Sequence, residues 1–321
     1  MTSTVFVDAA GGWIGGAARF RFELERYLKW SKRSDVKVIG IGRNLNSAWL
    51  LRRELGRPVK GRLVALNNVS FLAPGGERWT RLGNPLDFLT DEEWANLHPS
   101  LRRSTRLRAP VVHLAARRSH VIVTPSAAMA ERVTRVLPQL RSRVIPRLNP
   151  VSADWIPREP RQPVILCPVL FAPYKHMVPR LTELLAALDA WGDPSIELLV
   201  TAGAREVPPD LAAHPRVQLV GRLSNAALRP MWARSRAIYF PSAIESFGFP
   251  LAEARVNGQP VIALDTPQNR EIAGPALCGF RLGDPDSLGS ALGRALKAEV
   301  APDPSPFDPD AYFTWLLGAP Q

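Results

Sequence analysis

The sequence predicts an α/β protein made of two doubly wound parallel sheets. Three observations predict it: short β-branched apolar runs alternate with amphipathic stretches of helical length, the alternation occurs twice, and a proline-rich segment separates the two series. At 321 residues the chain is long for one hydrophobic core and suits about two domains.

The first series opens with the apolar run TVFVDA (4–9), which ends in the glycine cluster GGWIGG (11–16) before the stretch ARFRFELERYLKW. In that stretch Phe20, Leu24, Tyr27 and Leu28 recur at helical spacing, as packing against a sheet requires. A second strand is predicted at VKVIGI (36–41) and a third within RLVALNNVSFL (62–72), ending at Asn67 and Asn68. Residues 73–90 read as a loop and 91–118 as helical with a break at Pro99; SHVIVTPS (119–126) then reads as a buried strand entering the helix AAMAERVTRVL.

Prolines at 146, 150, 157, 160 and 163 exclude regular structure and mark a linker. The second series predicts strands at 164–170, 196–202, 216–221, 237–241 and 260–264. It predicts helices at about 176–191, in AALRPMWARS, just after residue 248 and at about 286–298. The predicted organisation is an N-terminal domain over 1–150, a linker over 151–162 and a C-terminal domain over 163–300. A spacer and short apolar helix over 301–321 are expected to return to the first domain.

Hydrophobic residues make up 46% and charged residues 22% of the chain, no apolar run reaches the length of a membrane span, and the N-terminus lacks a signal-peptide pattern. These features predict a cytoplasmic protein. Cys167 and Cys278 stand apart in apolar or turn contexts, as reduced core thiols do. The net charge of +12 comes from arginine, because only six of the 41 basic residues are lysine. Arginines cluster in 102–118 and 132–147 and suit phosphates, anionic lipid head groups or an acidic substrate; a solvated, arginine-biased surface is the plainer alternative. No nucleic-acid-binding motif accompanies them, so no nucleic-acid partner is predicted.

The most specific string is FPSAIESFGFPLAEARVNGQPVIA (240–263). Glu245 stands in a loop after a strand, Gly248 allows a turn, Pro250 suits the first helical position, and Glu253 is expected in the first turn of the helix. Amides of Gly248, Phe249 and Leu251 at that terminus favour an anion such as a diphosphate. Two carboxylates beside a phosphate site make sense if each binds hydroxyl groups, and a nucleotide sugar offers hydroxyls at both ends. A plainer reading makes the two glutamates helix-dipole partners, but it leaves the glycine and proline between them unexplained.

This string resembles the E-x7-E segment of the retaining GT-B glycosyltransferases of family GT4, the glycosyl transferases group 1. GGWIGGAARF, FAPYKHMVPRLTELL and LVGRLSNAALRPMWARSRAIYFPS are similar to further segments of that family. The resemblance implies a GT-B fold of two facing Rossmann-like domains, with the C-terminal helix returning to the first. It implies that Glu245 contacts the donor sugar near the reacting carbon, that Glu253 holds the ribose hydroxyls and that Lys175 neutralises the diphosphate. Gly15 and Gly16 match the loop approaching the phosphates, Ser246, Phe247, Gly248, Phe249, Pro250 and Leu251 the turn at the sugar and diphosphate, and Gly221, Arg222 and Leu223 the strand end beside the nucleobase. Two departures stand out. Val169 to Pro173 lack the arginine common before the lysine, a charge that Arg222 could replace, and Ser246 occupies a place usually held by glycine.

The implied activity is sugar transfer from a nucleoside-diphosphate sugar to an acceptor hydroxyl with retention of configuration, as in the synthesis of cell-surface glycans, glycolipids or glycosides. A sugar-nucleotide epimerase of the same fold, and a non-catalytic basic protein binding nucleotides or membrane surfaces, are the alternatives. No cofactor or metal is predicted, because Asp284-Pro-Asp286 and Asp308-Pro-Asp310 imitate a metal motif but precede helices as N-caps do. His98, His113, His120 and His214 lack ligand spacing. The acceptor is expected near Asn67, Asn68 and residues 73–90, with the 102–118 arginines as peripheral contacts to an anionic inner membrane face or a lipid-linked acceptor.

Overall fold

A computed structural model of the chain describes residues 4–12, 15–58, 60–97, 99–153, 161–168 and 170–319. His98, Val169 and residues 154–160 of the predicted linker lie outside the described residues, as do Trp13 and Ile14 of the glycine cluster. The chain divides into two compact units. The first is Met1–Pro150 with Glu245–Phe247 and Phe307–Gln321, and the second is Val151–Ile244 with Gly248–Pro306.

The first unit runs β1 (Val5–Asp8), α1 (Gly15–Ser31), β2 (Val36–Ile39), α2 (Ser47–Gly56), β3 (Arg62–Ala65), β4 (Glu77–Arg81), α3 (Asp91–Ala95), α4 (Pro99–Ala116), β5 (Val121–Thr124), α5 (Ala127–Val136) and β6 (Val144–Pro146). Its strands form one parallel sheet in the order β2-β1-β3-β4-β5-β6. Phe20, Leu24 and Tyr27 are buried on α1, as their spacing predicts. The segment 73–90, read from sequence as loop, contains the interior strand β4. Its ERWTR sequence hides the signal, because the alternation places a charged arginine, Arg81, at a buried position. Arg81 Nε and Nη2 both donate to Asn149 Oδ1, at 3.2 and 3.1 Å, and its guanidinium lies 4.3 Å from the Phe20 ring centre. Burial pushes this guanidinium below its ordinary value. Pro146, assigned from sequence to irregular structure, ends β6, where an edge position tolerates the missing N–H.

The second unit runs β7 (Gln162–Cys167), α6 (Met177–Trp191), β8 (Glu197–Val200), α7 (Pro209–Ala212), β9 (Val217–Leu219), α8 (Asn225–Arg234), β10 (Ser235–Phe240), α9 (Phe249–Val256), β11 (Val261–Leu264), α10 (Pro267–Ala273), β12 (Leu277–Phe280) and α11 (Pro285–Lys297). Its parallel order is β12-β11-β10-β7-β8-β9. The sheet core is continuous apolar sequence: Val164–Cys167, Ala237–Phe240 and Val261–Leu264 are all buried, as strands covered on both faces must be. The strand β12 and helices α2 and α10 were not anticipated. Within the first unit α12 (Pro309–Leu317) lies on α1, with Phe313 against Phe20 and Tyr27 and the Tyr27 hydroxyl 3.2 Å from Thr314 Oγ1. Asp284 and Asp308 cap α11 and α12, accepting from Ser287 N and from Asp310 N and Ala311 N. Cys167 and Cys278 are free and buried. Among the described residues no helix is long and apolar enough to cross a membrane.

Candidate functional site

From β7 the second sheet grows outward through β8 and β9, and from β10 it grows the other way through β11 and β12. Loops leaving the carboxyl ends of such a strand pair diverge and open a crevice, the usual ligand position in open α/β sheets. Lys175 and the Gly248–Glu253 stretch stand on the loops that leave β7 and β10.

Lys175 closes a single 3-10 turn (Pro173–Lys175), and His176, left-handed at φ 48°, starts α6. The Lys175 ammonium is 5.7 Å from the ring centre of Phe240, the last residue of β10, and 5.9 Å from that of Tyr174. A cation on one strand's loop is thus seated beside the neighbouring strand's end. Cys167 ends β7, and burial pushes its thiol far above its ordinary value, with Lys175 only partly opposing the shift. A thiol so held is not a nucleophile at neutral pH.

Gly248 is the N-cap of α9, at φ 82° and ψ 76°, and no side chain caps the helix. A Cβ at Gly248 would lie 3.0 Å from both Leu251 Cδ1 and Phe240 Cε1, so both backbone conformation and space require glycine here. Pro250 falls in the first turn, where its missing N–H is not needed. A helix start without a side-chain cap at the sheet's carboxyl edge, with an ammonium beside the same strand end, is an arrangement that favours negative charge.

Three expectations change. Glu253 is the fifth residue of α9, beyond its first turn, and is buried, so it is poorly placed as a dipole partner. The Leu251 amide donates to Gly248 O at 2.9 Å and closes the turn, leaving Gly248 and Phe249 as the leading amides. Arg222 pairs with Glu206 at 2.6 Å, and the bond holds its guanidinium above and the Glu206 carboxyl below their ordinary values, so its charge is already offset. Gly221, at φ 71°, Arg222 and Leu223 follow the edge strand β9, two strands beyond β7.

The other predicted residues belong to the first unit. Glu245 is half-buried there, Phe247 packs edge-on against Phe307 with ring centres 6.2 Å apart, and Gly15 and Gly16 open α1 in exposed positions. Ser246 Oγ donates to Gly83 O at 2.7 Å, and Ser126 Oγ donates to Ser246 O at 2.8 Å. The hydroxyl that stands in place of a glycine therefore has a structural function. Asn67 donates to Asp8 Oδ2 at 2.8 Å, and Asn68 Oδ1 accepts from Gly83 N at 2.6 Å and Asn84 N at 3.2 Å, so both are engaged in holding their own unit together. His113 contacts the Asp87 carbonyl, His120 accepts from Arg78 N, and His214 lies 3.4 Å from Asp189, all structural positions.

Asp8 was missed. It ends β1, is fully buried, and accepts from Ala10 N at 3.0 Å, Trp49 Nε1 at 3.1 Å, Arg53 Nη1 at 2.6 Å and Asn67 Nδ2 at 2.8 Å. It fixes the start of the glycine loop. A carboxylate closing a buried apolar strand, VFVD, was the available signal.

Two six-stranded parallel sheets flanked by helices define the chain as a two-domain protein of the GT-B glycosyltransferase fold, and solved structures agree. Sucrose-phosphate synthase from Thermosynechococcus elongatus superposes with a TM-score of 0.65 at 14% identity, covering 95% of this chain and 91% of that one. HepE from Anabaena gives 0.64 at 15% identity, covering 98% and 95%. WaaG, a glycosyltransferase involved in lipopolysaccharide biosynthesis, gives 0.64 at 14% identity, covering 98% and 94%. No curated protein sequence matches the chain. The family described as Glycosyl transferases group 1 matches residues 163–298, which apart from 245–247 lie in the second unit.

Proposed function

We propose that the chain is a retaining hexosyltransferase of the GT4 type, moving a sugar from a nucleoside-diphosphate sugar to an acceptor hydroxyl. The observation that carries the reading is the pairing of Lys175 with the uncapped N-terminus of α9 on either side of the β7/β10 reversal. As the glycosidic bond breaks, negative charge collects on the leaving diphosphate. The ammonium and the Gly248 and Phe249 amides would stabilise that charge with no reorganisation. Glu253 would bind the ribose hydroxyls and Glu245 the sugar. No metal is needed in this scheme, so transfer should survive chelation.

HepE was solved in complex with UDP-glucose, which supports a uridine nucleotide as the first donor to try. The involvement of WaaG in lipopolysaccharide biosynthesis supports a cell-surface glycan or glycolipid as acceptor. Melting curves with UDP, GDP, ADP and dTDP test the donor reading: a nucleotide at a hundred times its dissociation constant adds about 2.7 kcal/mol of stability. No shift with any of the four would remove the proposal's basis. With a donor identified, NMR of the product tests retention, and an inverted anomeric centre would overturn the mechanistic half alone.

A further inference from the structure

Charge is divided unevenly along the chain. Residues 1–150 hold 26 basic and 11 acidic residues, a net charge of +15, whereas residues 151–321 hold 15 basic and 18 acidic, a net charge of −3. Much of the first region's arginine is tied up internally. Arg132 pairs with Glu93, Arg135 with Glu131 and Arg108 with Asp87, Arg143 donates to the carbonyls of Arg117 and Ser119, and Arg147 donates to that of Ala311. Arg103, Arg106, Arg117 and Arg118 differ: all four are exposed, and none has an acidic partner among the described residues. No aspartate or glutamate occurs between residues 94 and 130.

These four arginines surround an apolar stripe. On α4, Leu107 is 78% exposed, Val111 49% and Leu114 56%, and Pro110 is exposed between them. The spacing i, i+3, i+4, i+7 gathers these side chains into an arc of about 100° on a helix about 27 Å long. Arg103 lies at one end of the stripe, Arg117 and Arg118 at the other, and Arg106 on its flank. The opposite side of α4 is the ordinary core face, with Thr105, Val112, Ala115 and Ala116 buried. The helix therefore has two apolar faces, and only one of them is covered by its own unit.

A second element extends the outer face. The connections β2 to β3 and β4 to β5 run the same way across the sheet, so right-handed crossovers place α2 and α4 on one side of it. Leu50 of α2 packs on the cluster that holds Val112, Ala115 and Ala116 of α4. The outward side of α2 presents Leu51, 64% exposed, and Leu55, 80% exposed, beside the exposed Arg52. Leu72, whose amide donates to Glu54 of α2, adds a further exposed leucine.

From this surface we infer that the outer faces of α4 and α2 dock on an anionic lipid bilayer, lying in the interface plane with Leu107, Val111, Leu114, Leu51 and Leu55 entering the acyl boundary and the arginines meeting lipid phosphates. Apolar stripes bounded by cations are the composition of such in-plane helices. Nucleic acid would use the arginines but give no reason for the leucines between them. The inference is independent of the donor-site reading.

The test is co-sedimentation of the full chain with vesicles of phosphatidylcholine alone and of phosphatidylcholine mixed with phosphatidylglycerol. The unmodified protein should partition onto the anionic vesicles at least about tenfold more strongly than onto the neutral ones. The L107Q/L114Q pair should lower that partition by about tenfold or more with an unchanged melting temperature, since both side chains are already in water. R103Q/R106Q/R117Q/R118Q should erase the preference for anionic lipid. Three results would overturn the inference: no partition onto either vesicle, partition that L107Q/L114Q leaves intact, or displacement of the protein from vesicles by single-stranded RNA at equal phosphate. Nucleotide melting shifts measured on the same variants should be unchanged, which separates failure here from failure of the donor site.

Discussion

Both sheets reverse their strand order once, the first between β1 and β3 and the second between β7 and β10, and the two reversals are furnished in opposite ways. At the first, the Asp8 carboxylate collects four donors from the backbone, an indole, a guanidinium and an amide. At the second, a lysine, a left-handed glycine and a helix start without a side-chain cap converge. The same topological position can thus be closed by a buried network or, under the proposed function, receive an anion. What separates them is that the Asp8 carboxylate ends its strand and binds the donors around it, whereas α9 starts after β10 without a side-chain cap. The glycosyl transferases group 1 match covers the second reversal and not the first.

The comparison breaks most visibly at Asp8. Asp8→Ala leaves the fully buried Arg53 guanidinium with the Ser70 carbonyl, the Phe71 ring and the more distant Glu54 carboxylate at 3.7 Å, but without its hydrogen-bonded anion at 2.6 Å. Removing one partner of such a pair costs about 3–5 kcal/mol. Denaturant unfolding should show that loss, with most of it restored in Asp8→Leu/Arg53→Met. A loss below about 1 kcal/mol would mean that the network does not hold the first reversal.

At the second reversal the same kind of deletion should spare stability and remove activity. Lys175→Ala is expected to lower kcat/KM by about 10²–10³, the usual effect of losing one group that stabilises developing charge, while leaving the melting temperature nearly unchanged. Full activity in this variant would assign the diphosphate charge elsewhere. Gly248→Ala should have a smaller effect on folding, about 1–2 kcal/mol, because an L-residue is strained at φ 82° and its Cβ meets Leu251 and Phe240 at 3.0 Å. Its nucleotide-induced melting shift should shrink as the α9 terminus moves, and an undiminished shift would dissociate that terminus from the ligand.

The second unit was legible because its signals are local: Gly248, Pro250 and the apolar β10 fix a strand, a turn and a helix start within about a dozen neighbouring residues. The α/β class followed in both units from the same alternation. The first unit hid more. β4 carries charges at both ends, and burial of Arg81 depends on Asn149, 68 positions away, which no local pattern reports. The Asp8 network joins residues 8, 49, 53 and 67, and Ser246 takes its meaning from Gly83 and Ser126, again at long sequence separation. The arginine clusters were visible as composition, but only the fold separates those tethered to Glu93, Asp87 and carbonyls from the four around Leu107 and Leu114.

The finest distinction lies among those tethers and concerns two acids bound to arginines in the first unit. Burial alone would raise the Glu93 carboxyl, but hydrogen bonds from Arg132 and from the Thr90 hydroxyl and amide outweigh it and hold the group below its ordinary value. Its folded-state pKa is depressed, so its contribution is present above the unfolded value near 4.5 and is lost as pH falls through the folded value. Asp87 behaves oppositely: burial raises its carboxyl, and Arg108 and His113 only partly offset the shift. The native state therefore binds the extra proton, and Asp87 lowers stability as pH climbs from its unfolded value near 3.8 through the folded one. Stability measured by urea between pH 3 and pH 6, about the range these groups span, should separate them. Glu93→Gln should flatten the acid limb, with a loss of about 1 kcal/mol at neutral pH from the broken capping box and ion pair. Asp87→Asn should steepen the rise of stability with pH relative to the parent chain. If both variants bend the curve the same way, burial does not dominate at Asp87, and Arg108 belongs with the fully compensated tethers.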